Sequence, residues 1–359
     1  MRSQRSRRRL RGRGGPPGGW GAAASASELP LRALTGIKPT AAPHIGNLLG
    51  MIEPALRLQS DHDAYYFIAD YHALTTLHDR ERMRTYSTEV AATWLALGLD
   101  PARTALFVQS DVPEVTELSW FLSCVIGMGV LERAHAYKAA QDQGVDINAG
   151  TFTYPVLMAA DILAYDSNLV PVGRDQKQHV EMAKDMAAAF NARFGGPVLT
   201  LPEPLIRDDV ATIPGLDGRK MSKSYSNTIE VFADPKALRK KVMAIVTDSR
   251  GLDDPKDPDT DNVFALFRLF ATPERTADLA RRYRLPGLGY GHAKQELFEV
   301  MENRLAPARE RYAELLADPS RIDRVLEDGA DRARRVATAT LERVRDATGI
   351  RRAPRATRQ

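Results

Sequence analysis

From Leu31 onward, short apolar runs alternate with longer stretches whose apolar positions recur at helical spacing, the pattern of βα units laid into a parallel sheet. LRALTGI at 31–37 reads as a first strand, and a turn marked by Pro39 and Pro43 leads into a helix over IGNLLGMIEPALRLQ. AYYFIAD at 64–70 is a second strand, and RERMRTYSTEVAATWLALGL is a helix that stops before Asp100 and Pro101. TALFVQ at 104–109 is a third strand. Helical segments are expected at about 114–127, 130–142 and 151–164, then LVPVG at 169–173 as a fourth strand and a helix over 175–194. After Pro197 the chain is rich in turn residues through PGLDGRKMSKSYSN, and from about Asp234 it is almost purely helical, with no fixed-period repeat.

At 359 residues the chain has room for two domains, or one large domain with a helical appendage. Apolar residues at 43% and charged residues at 27% exclude wholesale disorder and a fibrous protein. No apolar run approaches the roughly 18 residues of a membrane helix, so no membrane association is expected. The one cysteine, Cys124, can form neither an intramolecular disulfide nor a cysteine-rich zinc site, which points to an intracellular, cytoplasmic protein.

The net charge of +4 misleads, because residues 1–28 carry seven arginines against Glu28 alone and residues 351–359 carry four more. Without those tails the body stands at −6, so basicity does not make it a nucleic-acid binder. Residues 1–30 are too poor in apolar side chains to offset their ordering entropy and are expected to be a disordered Arg-rich arm. Its composition is open to three readings: a solvated tail or misplaced start, a nucleic-acid arm, or an organelle transit peptide. The Asp-rich DDPKDPDTDN at 253–262 lacks the ligand spacing of a cation loop, and its prolines favour a solvated loop.

A parallel α/β sheet binds ligands outside the carboxyl ends of its strands, so the first strand-to-helix turn is where chemistry is first sought. There is no G-x-G-x-x-G there and no Walker lysine loop anywhere, which removes the main support for a hydride-transfer enzyme or a P-loop ATPase. The turn reads PHIGN, directly before a helix whose free N–H groups can face an anion. Gly46 lets a flat base approach the backbone, and His44 and Asn47 offer donors to phosphate oxygens, although a histidine before a glycine also suits a capping role. KMSKS at 220–224 sits in a loop set off by Pro214-Gly215 and Asp217-Gly218, with two lysines able to swing onto a polyphosphate. A specified pentapeptide arises by chance in such a chain about once in ten thousand.

PHIGN after the first strand, followed by KMSKS about 175 residues later, resembles the class I aminoacyl-tRNA synthetases. TGIKPT at 35–40, YPVLMAADIL at 154–163, VPVGRDQKQH at 170–179 and KKVMAIVTDSRG at 240–251 narrow the resemblance to the tryptophanyl-tRNA synthetase family, over about Leu31 to Ile350. The resemblance implies activation of L-tryptophan by ATP to the aminoacyl adenylate and pyrophosphate, then transfer to the 3′ adenosine of tRNA(Trp). It implies Lys220, Lys223 and Lys138 as the charge-neutralising catalytic lysines. Gly36, Lys38, His44, Gly46, Asn47, Met221 and Ser222 would join Lys220 and Lys223 around the nucleotide. Asp161 would accept the indole N–H. Met158, Val170 and Val172 would line the ring, His72 would stand beside it, and Tyr154 and Gln176 would take the ammonium end. Magnesium would accompany ATP, held mainly by phosphate oxygens and water, so no protein metal-ligand set and no tightly bound cofactor are expected.

The implied fold is a Rossmann-like α/β nucleotide-binding domain over 31–228 with a helical C-terminal part. That part comprises a tRNA-recognition domain over 229–320 and helices over 321–350 packing back on the body, ahead of a basic tail at 351–359. A homodimer follows from the family. Lys38 stands where many bacterial members carry glutamine, and Leu34 replaces an aromatic often found under the indole. Together they suggest a divergent copy with altered tolerance of tryptophan-mimicking inhibitors. A tyrosyl-tRNA synthetase shares the fold, and a regulatory pseudo-synthetase would share the motifs. MAADIL with VPVGRDQKQH favours tryptophan, and intact motifs argue against lost catalysis.

Overall fold

Five strands run in one direction in the order β3-β2-β1-β4-β5. They are β1 (Arg32–Ile37), β2 (Asp63–Ile68), β3 (Thr104–Val108), β4 (Leu169–Pro171) and β5 (Glu203–Leu205). The computed structural model describes residues 31–134, 137–138, 141, 147–172, 176–205 and 213–350. The arginine arm, the basic tail, Asp175 and much of the expected 130–142 helix lie outside the described residues. β1 and β2 pair from Arg32↔Asp63 to Ile37↔Ile68, and β2 and β3 from Ala64↔Thr104 to Ile68↔Val108.

Along β2 the side chains alternate between two apolar layers, as a strand covered on both faces requires. Tyr65 and Phe67 enter the layer with Leu34, Phe107 and Val156, while Ala64, Tyr66 and Ile68 enter the one with Ile52, Trp94 and Leu106. Helices cover both faces. They are α3 (Asp70–Ala73), α4 (Arg80–Ala96), α5 (Glu114–Ser123), α6 (Met128–Glu132), α7 (Ala149–Ala164) and α8 (Lys177–Phe194). The helix expected from Ile45 exists but is not uniform: α1 (Ile45–Asn47) passes through a π-helical stretch, Leu48–Ile52, into α2 (Glu53–Leu58). Glu53 N–H bonds to Leu48 O, five residues back, immediately ahead of Pro54, which has no N–H to continue the α ladder.

The fifth strand was not anticipated in the turn-rich text. Its three residues include Pro204, which is tolerable because β5 is an edge strand, paired only to β4. Helix α5 stops at Ser123 rather than about 127, since Gly127 opens α6.

The remaining helices are α9 (Pro235–Met243), α10 (Asn262–Phe270), α11 (Pro273–Tyr283), α12 (Tyr290–Ala317) and α13 (Pro319–Thr348). α9 to α12 surround a third apolar layer that includes Leu238, Phe267, Tyr283 and Leu297, together with Ile45, Leu48 and Met221 from the two signature segments. α13 turns back onto the sheet: Ala333, Ala337, Leu341 and Val344 join the Phe107 layer. Gly329 is required there, because a Cβ would lie 1.9 Å from the carbonyl oxygen of Leu106. Buried Lys256, in the Asp-rich stretch, donates to the carbonyls of Gly251 (2.7 Å) and Asp254 (3.1 Å), so that loop is anchored rather than simply solvated.

Candidate active site

The strand order reverses between β1 and β4, where the connections leave to opposite sides and open a crevice at the carboxyl ends. Lys38 follows β1, His72 lies in α3 after β2, Gln109 follows β3, and Val170 and Val172 lie at the end of β4. Tyr154, Met158 and Asp161 are spaced four and three residues apart and so share one face of α7.

Asp161 is 2% exposed. Its Oδ2 lies 2.9 Å from His72 Nε2, and Gln109 Nε2 donates to Oδ1 at 2.8 Å and to Oδ2 at 2.9 Å. Gln109 is itself fully buried and accepts the His72 backbone N–H at 3.4 Å through its own oxygen. These donors explain how a carboxylate persists among Ala159, Ala160 and Ile162. Burial pushes its pKa up, opposed by the hydrogen bond and charge of His72 and by the bond from Gln109. A carboxylate has roughly four lone-pair sites, so these donors leave one for a ligand. Among the described residues His72 Nδ1, also buried, has no partner.

Beside this cluster, Tyr154 Oη is 2.5 Å from His179 Nε2, and His179 Nδ1 is 3.0 Å from Gln176 Oε1. The His72 ring meets Tyr154 edge-on at 6.1 Å, and Lys38 Nζ lies over the Tyr154 ring at 5.4 Å. Lost solvation raises the Tyr154 pKa to about 12 and lowers that of Lys38, which nonetheless keeps an exposed surface. Val170 is buried, and Val172 and Met158 are half-buried against the same apolar layer. Leu34 is a core residue of that layer.

The second half of the crevice joins PHIGN to KMSKS. Ile45 N–H bonds to Ile229 O at 2.8 Å and Val231 N–H to Pro43 O at 3.0 Å, so the segment after KMSKS pairs with the turn after β1. Gly46 N–H points at Met221 Sδ, 3.3 Å away. A Cβ at Gly46 would come within 2.9 Å of the His44 ring, so the glycine permits this closeness. His44 and Asn47 form a reciprocal capping box: Asn47 N–H donates to His44 Nδ1 at 3.3 Å, and His44 N–H to Asn47 Oδ1 at 3.1 Å. The capping reading of His44 therefore holds, and it leaves the anion-facing one intact. With Nδ1 accepting, the imidazole proton sits on Nε2, and among the described residues neither it nor the Asn47 amide nitrogen has an acceptor. Burial, and then the charge of Lys223, lowers the His44 pKa to about 4.

Lys223 remains exposed and donates to Ala41 O at 3.2 Å, and desolvation lowers its pKa. Asn227 shapes the loop: its oxygen accepts Ser222 N–H at 2.8 Å, and its nitrogen donates to Asp217 Oδ1 at 2.7 Å and to the Lys220 carbonyl at 3.2 Å. Gly215 leaves room for that amide, since a Cβ would sit 2.3 Å from it.

Gly36 is glycine for a reason the sequence did not reveal: a Cβ there would collide with the Phe67 ring on β2, at 2.5 Å. Lys138 is exposed, and among the described residues no hydrogen bond or ion pair ties its side chain to the others. Reading by motif passed over Gln109 and His179. A polar residue at the carboxyl end of an apolar strand was the available signal for Gln109, and His179 was visible only as the end of QKQH. Among the described residues no group of three or more His, Cys, Asp or Glu side chains is arranged to hold a metal, and no helix is long and apolar enough to cross a membrane.

The family of class I tRNA synthetases for tryptophan and tyrosine matches residues 26–306. The chain is 49% identical over 332 residues to a tryptophan–tRNA ligase of Pseudomonas aeruginosa, covering 89% of this chain and 74% of that one. It is 50% identical over 321 residues to a tryptophan–tRNA ligase of Rhodopirellula baltica, covering 89% and 100%. Its fold is similar to the crystal structure of a Campylobacter jejuni tryptophanyl-tRNA synthetase complexed with ADP and tryptophan, with a TM-score of 0.84 at 44% identity, over 89% of this chain and 100% of that one.

Proposed function

The chain belongs to the class I tRNA synthetases for tryptophan and tyrosine and is an aminoacyl-tRNA ligase of the tryptophan type, and from that premise we propose how its residues divide the work. A carboxylate oxygen of L-tryptophan attacks the α-phosphorus of ATP, the bond to the β-phosphate's bridging oxygen breaks, and pyrophosphate leaves. A terminal-adenosine hydroxyl of tRNA(Trp) then takes the aminoacyl group and AMP departs. No protein nucleophile is needed, so the residues position two substrates and neutralise developing charge.

The observation that carries the reading is the buried Asp161 carboxylate, fixed by His72 and Gln109 with one acceptor site to spare. That site takes the indole N–H, with Met158, Val170 and Val172 against the ring and Tyr154 and Gln176 at the ammonium. Gly36, Gly46, Asn47, the Nε2–H of His44 and Lys38 face the nucleotide. Lys220 and Lys223, with Met221 and Ser222 shaping their loop and Lys138 approaching from outside, meet the triphosphate and its Mg2+.

Residues 31–228 serve as the catalytic domain, 229–320 as the tRNA-recognition domain, and 321–350 as its return to the body. Exposed Trp120 and Met128, on α5 and α6, supply apolar surface for a homodimer contact. The place of work is the cytoplasm. ATP–pyrophosphate exchange with each of the twenty amino acids tests the reading: tryptophan alone is expected to give a strong signal, and a tyrosine signal or none would overturn it.

A further inference from the structure

Between Tyr154 and Gln176 stands His179, 2% exposed in the first turn of α8. Each of its two ring nitrogens lies within hydrogen-bond distance of a side chain. The side-chain oxygen of Gln176, 3.0 Å from Nδ1, can only accept, so Nδ1 carries a hydrogen. In the neutral ring Nε2 is then the acceptor. The hydroxyl of Tyr154, 2.5 Å away, must then donate to it.

We propose that His179 is a positioning residue that sets the polarity of the substrate's ammonium site. By accepting the phenolic hydrogen bond, it holds the remaining lone pairs of Tyr154 Oη available as acceptors. By donating to Gln176 it fixes an amide oxygen whose second lone pair faces the same ligand. Without His179 the Tyr154 hydrogen rotates freely and can point at the ammonium, where it repels rather than binds. This inference rests on the reading above that Tyr154 and Gln176 take the amino end of L-tryptophan.

The test uses the full chain and two competitive inhibitors of tryptophan-dependent ATP–pyrophosphate exchange. Tryptamine keeps the ammonium and lacks the carboxylate; indole-3-propionate keeps the carboxylate and lacks the ammonium. In His179→Phe the inhibition constant for tryptamine is expected to rise about tenfold or more, the worth of a charge-assisted hydrogen bond, while that for indole-3-propionate changes less than about twofold. His179→Gln, which offers a carbonyl oxygen toward Tyr154, is expected to recover most of the loss. Equal weakening of both analogues would mark His179 as structural and overturn the proposal, as would an unchanged tryptamine constant. Should His179→Phe fail to fold, Tyr154→Phe must show the same split with His179→Gln between it and the native protein; any other ranking overturns the proposal. A native protein without tryptophan-dependent exchange sinks the underlying functional reading instead.

Discussion

The two halves of the crevice solve different problems with different materials. Around Asp161 the groups are buried or half-buried side chains that hold one another: His72 and Gln109 on the carboxylate, His179 on Tyr154. Around KMSKS the frame is backbone pairing, caps and the Asn227 amide, and Lys223 is exposed and, among the described residues, tethered to a backbone carbonyl. A pocket that discriminates by hydrogen bonding must hold its acceptor still, because its selectivity comes from leaving a wrong ligand's partner unpaired. A site that neutralises a departing anion needs charge at the right moment and freedom to release it.

The largest expected effect is at the exposed half. Lys223→Ala should lower the exchange rate constant by about 10²–10³-fold, the scale for losing one group aimed at developing charge, while tryptophan affinity changes only a few-fold. Stopped-flow exchange rates set beside calorimetric tryptophan titrations check this; equal losses in rate and affinity would erase the contrast between the halves.

At the buried half, Asp161→Ala should cost on the order of 1–3 kcal/mol of tryptophan affinity and shift the ratio of tryptophan to phenylalanine activation toward phenylalanine. The structure sharpens this expectation: the same substitution orphans the donors of His72 and Gln109, so the melting temperature should fall as well. A lower melting temperature with an unchanged ratio would make Asp161 purely structural.

The smallest effect concerns the cap. His44 titrates at about 4 in the folded protein against about 6.5 in the unfolded chain, so the unfolded state binds more protons between those values. The stability His44 contributes is therefore fully present above pH 6.5 and is lost as pH falls toward 4, by on the order of 1–3 kcal/mol. Urea midpoints for native and His44→Asn protein across pH 7 to 4 check it, since asparagine can cap without titrating. Parallel pH profiles for the two would mean that His44 contributes no such slope.

PHIGN and KMSKS were legible because each is a local string whose chemistry follows from its own composition, and Asp161 because the motif around it is specific. The first four strands were legible because both faces of the sheet are covered and each strand is a nearly unbroken apolar run. β5 escaped because three residues with a proline at an edge carry no periodicity, and the π-helical stretch because one displaced hydrogen bond leaves the apolar spacing of Leu48 and Ile52 unchanged.

By itself the sequence determined the class of sheet, the family, the identity of the charged groups and the separation of arginine tails from an acidic body, all of which are properties of local strings and their order. Only the tertiary structure decided the partners. That Gln109 holds both oxygens of Asp161 across 52 positions, that Met221 reaches Gly46 across 175, and that the Phe67 ring leaves no room for a Cβ at Gly36 are facts of contact. A hydrogen bond or a collision depends on distances of a few tenths of an ångström, and those exist only once the sheet order has brought remote residues to one crevice.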